Sequence, residues 1–197
     1  MTPGGLRERK KLKTREAIQR EAMRLFQKQG YDETTIEQIS AAVEISASTF
    51  FNYFPTKEDV VLFDRYDPMV VSMMLSRPTN EPLSVVVRQA LEGLAGVFER
   101  DRDMILARAK LAVEVPALRA RFFEEIERAQ DLFSGIIGGR TGRDPADFEL
   151  RVLGMVLISA VYEASREWVR RGGQGSLVEL INQALDMIEM GARLDAL

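Results

Sequence analysis

Apolar residues recur along this chain at mixed three- and four-residue intervals, and nowhere do they alternate with polar ones for the length of a strand. Leu12, Ala17, Ile18, Ala22, Leu25 and Phe26 make one such stripe between Arg7 and Gln29, which predicts an amphipathic helix stopped at Gly30. Thr34-Thr35-Ile36-Glu37 follows: a Thr hydroxyl to cap free amides, and a Glu three residues after Thr34 that can reach back. A short helix carrying Ile36, Ile39 and Val43 is expected there. A tight turn, Val43-Glu44-Ile45-Ser46, leads to a second short helix capped by Ser46, running from Ala47 to Phe54 and closed by Pro55. Thr56-Lys57-Glu58-Asp59 is a third capping signature, opening a helix with Val60, Val61, Leu62, Phe63 and Tyr66 that runs toward Pro68.

Beyond that point the helices lengthen, with breaks at Pro78 to Pro82, Arg100 to Arg102, Pro116, Gly138 to Pro145 and Gly172 to Gly175. Ala146 to Arg171 is apolar on a broad face and predicts a rod of about 39 Å. Ser176 caps a last helix to about Leu194, striped by Leu177, Leu180, Ile181, Leu185 and Ile188. The pattern predicts an all-α protein without internal repeats. It divides into a head of short helices, residues 1–56, and a larger helical body, residues 57–197.

Composition narrows the chemistry. Cysteine and histidine are both absent from the 197 residues, which removes disulfides, thiolate nucleophiles, the usual zinc ligand sets and imidazole bases. No nucleophile motif such as G-x-S-x-G or S-x-x-K occurs, so an enzyme is not expected, and neither a cofactor nor a metal is. No apolar run is long enough to cross a bilayer and no signal-peptide core follows the N-terminal charges, which predicts a cytoplasmic protein that does not engage a membrane. The net charge of −3 hides a polarity. The first fifteen residues hold six basic side chains against one Glu, a local charge of +5, whereas residues 61–197 carry 17 basic and 21 acidic side chains. Contact with a phosphate backbone is therefore expected at the N-terminal end alone.

Two short helices joined by a tight turn, the second with small or polar outward residues, are what a major-groove reader needs. Ala47, Ser48, Thr49, Asn52 and Tyr53 fit the outward positions, while Ile45, Phe50 and Phe54 supply inward anchors. The ordered pattern Gly30-Tyr31-x-x-Thr34-Thr35-Ile36-x-x-Ile39, then Ile45-Ser46-x-Ser48-Thr49-Phe50-Phe51-Asn52-Tyr53-Phe54-x-x-Lys57, resembles the DNA-binding domain of the TetR family over roughly residues 10–60. The resemblance implies a homodimer with a three-helix DNA-binding head containing a helix-turn-helix and a body that binds ligand and dimerises. It implies that Thr35 touches phosphate, that Ser46, Ala47, Ser48, Thr49, Asn52 and Tyr53 sit at the groove, and that Lys57 holds the DNA backbone. Lys11 and Lys13 of the basic arm add salt-sensitive grip. Glu44 stands where the family usually has Gly, a left-handed position costing about 1 kcal/mol for a side chain. Phe51 stands where Tyr is usual, which removes a hydroxyl that could reach phosphate.

For the body, Met and aromatic residues make adaptable apolar walls for an apolar or amphipathic effector. Phe63, Tyr66, Met73, Phe98, Phe122, Met155 and Tyr162 are the candidates, with Arg108 and Ser159 as orienting groups, although most such residues end as plain core. More loosely, Arg108, Val115-Pro116-Ala117-Leu118-Arg119, Glu167-Trp168 and Gly172-Gly173 resemble a subgroup of the family that includes the mycofactocin-linked regulators, some of which answer to acyl-CoA thioesters. The last two helices are the implied dimer surface, with Leu153, Leu157, Val161, Leu180, Ala184 and Met187 as members unless they belong to the monomer core. A two-fold dimer places its reading helices about 34–36 Å apart and so implies a palindromic operator on double-stranded DNA. Two rivals remain: a regulator of the same fold without a small ligand, and an enzyme or carrier that kept the head as a relic.

Overall fold

A computed structural model describes residues 5–191, with the side chains of 122 and 123 excepted. The described residues are helical with no strand. The helices are α1 (Leu6–Gln29), α2 (Ile36–Ala42), α3 (Ala47–Phe51), α4 (Lys57–Leu62), α5 (Asp67–Ser76), α6 (Leu83–Arg100), α7 (Arg102–Glu114), α8 (Pro116–Thr141), α9 (Phe148–Arg170) and α10 (Leu177–Glu189). The basic arm forms the first turns of α1, with Arg7 to Lys13 exposed.

Local chemistry explains the short helices. Thr35, and not Thr34, caps α2: its hydroxyl accepts the Gln38 N–H at 3.2 Å, and the Gln38 side-chain oxygen accepts the Thr35 N–H at 3.0 Å. Thr34 instead donates its hydroxyl to the Gly30 carbonyl at 2.7 Å, closing the preceding turn. Ser46 caps α3 by accepting the Thr49 N–H at 3.0 Å. Thr56 and Asp59 cap α4 reciprocally.

The helix expected from Lys57 to Asp67 is two helices with a break. α4 stops at Leu62, Phe63 turns to φ −58°, ψ 113°, and the Asp64 carboxylate accepts the Tyr66 N–H at 2.7 Å. The cause is Pro68, whose ring in a continuous helix would meet the carbonyl four residues back. Placed in the first turn of α5, it lacks only an N–H that the helix start leaves free anyway.

Two cores follow. The first gathers Ile18, Ala22, Met23 and Phe26 of α1, Ile39, Phe50, Phe54, and Val60 and Val61 of α4, with Leu118 of α8 sealed among them. The expected division after residue 56 thus cuts ahead of a helix that packs inside the head. Leu118 and the α7 residues Met104, Ala107 and Leu111 press the body onto the same core. The second core joins Met74, Val86, Leu91, Ile136, Leu157, Trp168 and Ile181 from α5, α6, α8, α9 and α10. Of the residues expected at a dimer surface, Leu157 and Leu180 are buried in it and Leu153 and Val161 pack against it, while Met187 is exposed. The apolar residues that α9 leaves in solvent are Phe148, Val152 and Val156; α10 adds Met187, and Met190 follows at its end.

The turn between α2 and α3 carries one cost that the sequence foretells. Glu44 has φ 57°, a left-handed conformation that crowds its Cβ. Glu44→Gly is expected to raise stability by about 0.5–1 kcal/mol, the left-handed penalty being partly offset by the greater freedom of glycine in the unfolded chain. A thermal melt checks it, and a melting temperature that falls would mean that the Glu44 side chain holds the turn.

Candidate nucleic-acid interface and its link to the body

The outward surface of the helix-turn-helix follows from which residues its core claims. Phe50 and Phe54 are sealed, 0% and 1% exposed. That rotation of α3 leaves Ser46, Ser48, Phe51 and Asn52 in solvent and Ala47, Thr49 and Tyr53 partly so. The six expected groove residues therefore all reach solvent along one short stretch of chain. Thr35 is exposed at the start of α2, its hydroxyl oxygen committed to the cap. Beside it, hydrogen bonds from the Glu37 backbone N–H and from Thr35 hold the exposed Glu37 carboxyl below its ordinary value. Phe51, the residue without the hydroxyl, stands half exposed and edge-on to Phe50 at 5.7 Å between centroids.

Lys57 is more deeply engaged than its expected role suggests. Its ammonium donates to the carbonyls of Tyr31 at 2.7 Å and Thr34 at 3.1 Å and lies 4.2 Å from the centre of the Tyr31 ring. An ammonium has three donors, so one remains for an outside acceptor. The Tyr31 hydroxyl donates to Glu58 at 2.8 Å, so α4 and the loop before α2 are bolted together through two side chains.

The end of α4 is held from both sides. From α1, the buried Gln19 amide donates to the carbonyls of Val60 at 2.9 Å and Phe63 at 2.7 Å. From α7, Arg108 donates to the Val61 carbonyl at 3.0 Å and pairs with Asp64 at 3.2 Å. These carbonyls belong to the last turn, where a helix leaves acceptors unsatisfied. At the other end of α4, Arg121 of α8 donates to the Thr56 hydroxyl at 2.9 Å and pairs with Asp59 at 2.9 Å. Two body helices thus grip the one short helix that completes the head.

The residues expected to surround an effector fall into separate places. Phe63 lies in the head, edge-on to Phe54 with ring centres 5.7 Å apart. Tyr66 and Phe98 meet edge-on at 5.3 Å, and the Tyr66 hydroxyl donates to Asp101 at 2.9 Å, which Arg65 also engages. Met73 lies over Gly93 in the second core. Arg108 serves the α4 joint. Met155 and Tyr162 are half-buried on α9, with the Arg166 guanidinium over the Tyr162 ring. Ser159 is exposed on α9, and the side chain of Phe122 lies outside those described. A cleft of about 470 Å³ opens between α1 and α7, floored by Met23, Phe26, Leu106 and Leu111 and edged by Asp103, Lys110 and Glu114. A cavity of about 20 Å³, room for one water, lies beside Phe98, Arg102 and Trp168.

Sequence reasoning missed Gln19, Arg15, Arg121 and the acidic pair at the joint. Gln19 left a readable sign, a polar residue inside the α1 stripe of Ile18, Ala22 and Phe26. Asp67 left none. Desolvation by the surrounding protein, followed by the nearby Asp64 charge, pushes its carboxyl up to about 7 against the pull of Arg108. Its unfolded value is near 3.9, so protonation favours the folded state. The contribution is fully present below about pH 4 and is lost as pH rises through about 7. Urea unfolding midpoints at pH 5.5 and pH 8 are expected to differ, the lower pH being the more favourable for this group, and Asp67→Asn should shrink the difference. An unchanged difference in the variant would place the pH dependence elsewhere.

No helix among the described residues is long and apolar enough to cross a membrane, and no cluster of three or more Asp, Glu, His or Cys among them could hold a metal ion. Comparison with known proteins shows the family. Residues 18–62 match the family "Bacterial regulatory proteins, tetR family", and residues 81–193 match the "MftR C-terminal domain". The chain is 35% identical over 181 residues to the HTH-type transcriptional regulator TcmR of Streptomyces glaucescens, covering 85% of this chain and 78% of that protein. It is 22% identical over 180 residues to the fatty acid metabolism regulator protein of Bacillus subtilis, covering 86% and 91%. The crystal structure of Thermus thermophilus FadR, a TetR-family repressor in complex with lauroyl-CoA, is similar with a TM-score of 0.59 at 28% identity, over 90% of this chain and 94% of that one. A helix-turn-helix whose outward face is polar, joined to an MftR-type helical body, with relatives of this kind along its length, makes this chain a member of the TetR family of DNA-binding transcriptional regulators and not an enzyme.

Proposed function

We propose that the protein is a homodimeric repressor that leaves a palindromic operator when a small apolar or amphipathic molecule binds its body. The observation that carries this reading is the double hold on α4. A helix of six residues whose last carbonyls are shared between Gln19 of the head and Arg108 of the body must move with both. A body that changes shape therefore changes the angle of the head, and two heads in a dimer then no longer match successive major grooves.

At the DNA, Ser46, Ala47, Ser48, Thr49, Asn52 and Tyr53 read the groove and its edges, Thr35 and the third donor of Lys57 meet phosphates, and Lys11 and Lys13 add sequence-independent attraction. The dimer forms on α9 and α10 through Phe148, Val152, Val156, Met187 and Met190, apolar groups that the monomer leaves in water. Two relatives point to the effector class. The similar Thermus protein is a repressor with lauroyl-CoA bound, and the Bacillus relative regulates fatty acid metabolism. A long-chain acyl thioester is thus the first candidate, ahead of other drug-like amphiphiles. A second reading, a regulator that answers to a protein partner, is favoured by the separation of the expected pocket residues.

The test is fluorescence anisotropy of the purified protein on the duplex immediately upstream of its own gene, across a salt series, against a scrambled duplex. Lauroyl-CoA and free laurate are then added. Tight, salt-dependent, selective binding by two subunits that lauroyl-CoA weakens tenfold or more supports the repressor. Selective binding indifferent to lauroyl-CoA and to a panel of amphiphiles would shift the reading to the protein-partnered regulator.

A further inference from the structure

We infer that Arg15, a residue of α1 that the groove-facing set does not include, determines how sharply the protein discriminates its operator, by fixing the end of the reading helix. Its guanidinium donates through Nε at 3.2 Å and Nη2 at 3.0 Å to one acceptor, the Tyr53 carbonyl. The same group lies 5.3 Å from the centre of the Phe54 ring and 5.1 Å from that of Phe63. It lies over two aromatic rings and is aimed at the residue that ends the helix-turn-helix.

The need for such a tether follows from the length of α3. Five residues make little more than one turn, and the last carbonyls of a helix have no partner within it. Asn52 and Tyr53 already lie beyond the helical residues, in a turn closed by hydrogen bonds of 2.8 Å and 3.0 Å from the Tyr53 and Phe54 N–H groups to the Phe50 carbonyl. Both are groove-side residues, so their placement decides base contacts. A base-edge hydrogen bond survives displacements of only about 0.5 Å. Without the tether, the last turn of the reading element would rest on the Phe50 and Phe54 anchors and its two backbone hydrogen bonds.

One turn further along α1, Gln19 holds the Val60 and Phe63 carbonyls. The Arg15 and Gln19 pair therefore locks the end of α3 to the end of α4 through a single face of α1. The inference concerns DNA reading and stands whether or not the effector is an acyl thioester.

Arg15→Lys isolates geometry from charge: it keeps one positive charge but loses the two-nitrogen fork on the Tyr53 carbonyl. The operator duplex is the one enriched from a random pool by the wild-type full-length dimer, and anisotropy is measured on it and on a scrambled duplex from low to high salt. The expected result is a selectivity ratio lowered about tenfold, with affinity for the scrambled duplex and the salt slope unchanged. Arg15→Ala should reproduce the loss of selectivity while moving the salt slope by well under one unit. An unchanged selectivity ratio in folded Arg15→Lys would overturn the inference, leaving Arg15 a packing residue. An equal loss on both duplexes, with the Arg15→Ala slope smaller by about one, would overturn it too, because Arg15 would then be holding a phosphate.

Discussion

Placing a charge in the exposed α9 stripe, as Val156→Glu, is expected to hold the protein monomeric and to weaken operator binding at least a hundredfold. Val156 is 38% exposed in the single chain and lies one turn from Val152, at 44%, and two from Phe148, at 80%. Neither core claims these residues. In a two-fold interface residues near the axis face their own copies, so one substitution brings two carboxylates together in a desolvated contact. The DNA penalty follows from geometry. The second head of a dimer binds as an intramolecular event, an advantage on the order of 10²–10⁴, and a monomer forfeits it. Analytical ultracentrifugation and anisotropy on the same sample check both halves. A variant that stays dimeric and binds normally would place the dimer surface elsewhere on the molecule.

The second large effect is expected at Phe50→Ala. Phe50 is wholly buried at the centre of the head, beside Phe54 and Phe51, and truncating a buried Phe costs about 3–5 kcal/mol. That is a large fraction of the 5–15 kcal/mol typical of a whole domain. The head is also the smaller core, so its neighbours can do little to offset the loss. The measurement uses the single Trp168, which is buried in the second core. Operator binding should vanish at a urea concentration where Trp168 emission is still native. If the two transitions coincide in the variant, Leu118 and the α4 joint couple head and body into one unfolding unit.

The legible part of this protein was its local chemistry. Three side-chain caps, at Thr35, Ser46 and Thr56, set the starts of α2, α3 and α4, and each is an interaction within four residues. Even here Thr34 and Thr35 were interchangeable on paper, since either precedes an acid or amide at the right spacing. Only the closing of the Gly30 turn by the Thr34 hydroxyl decided between them. The left-handed conformation of Glu44 was legible only through the family resemblance, which puts Gly at that place in the turn. The break of α4 at Leu62 was written in Pro68, but the apolar run Val60 to Phe63 masked it.

What the sequence by itself determined is therefore the all-helical class, the helix-turn-helix and the polarity of charge, all of which depend on neighbours in the chain. What only the tertiary structure decided is which apolar residues face which partner. Leu157 and Leu180 have the same periodicity as a dimer seam and are core, while Val152 and Val156, one helical face away, are the ones left in water. Periodicity names a face but not what covers it. Arg15, Gln19, Arg108 and Arg121 carry the same lesson for the polar groups. Their partners lie between 38 and 65 residues away, at Tyr53, Val60, Val61 and Thr56, and each partner is a carbonyl or hydroxyl that only folding brings within reach.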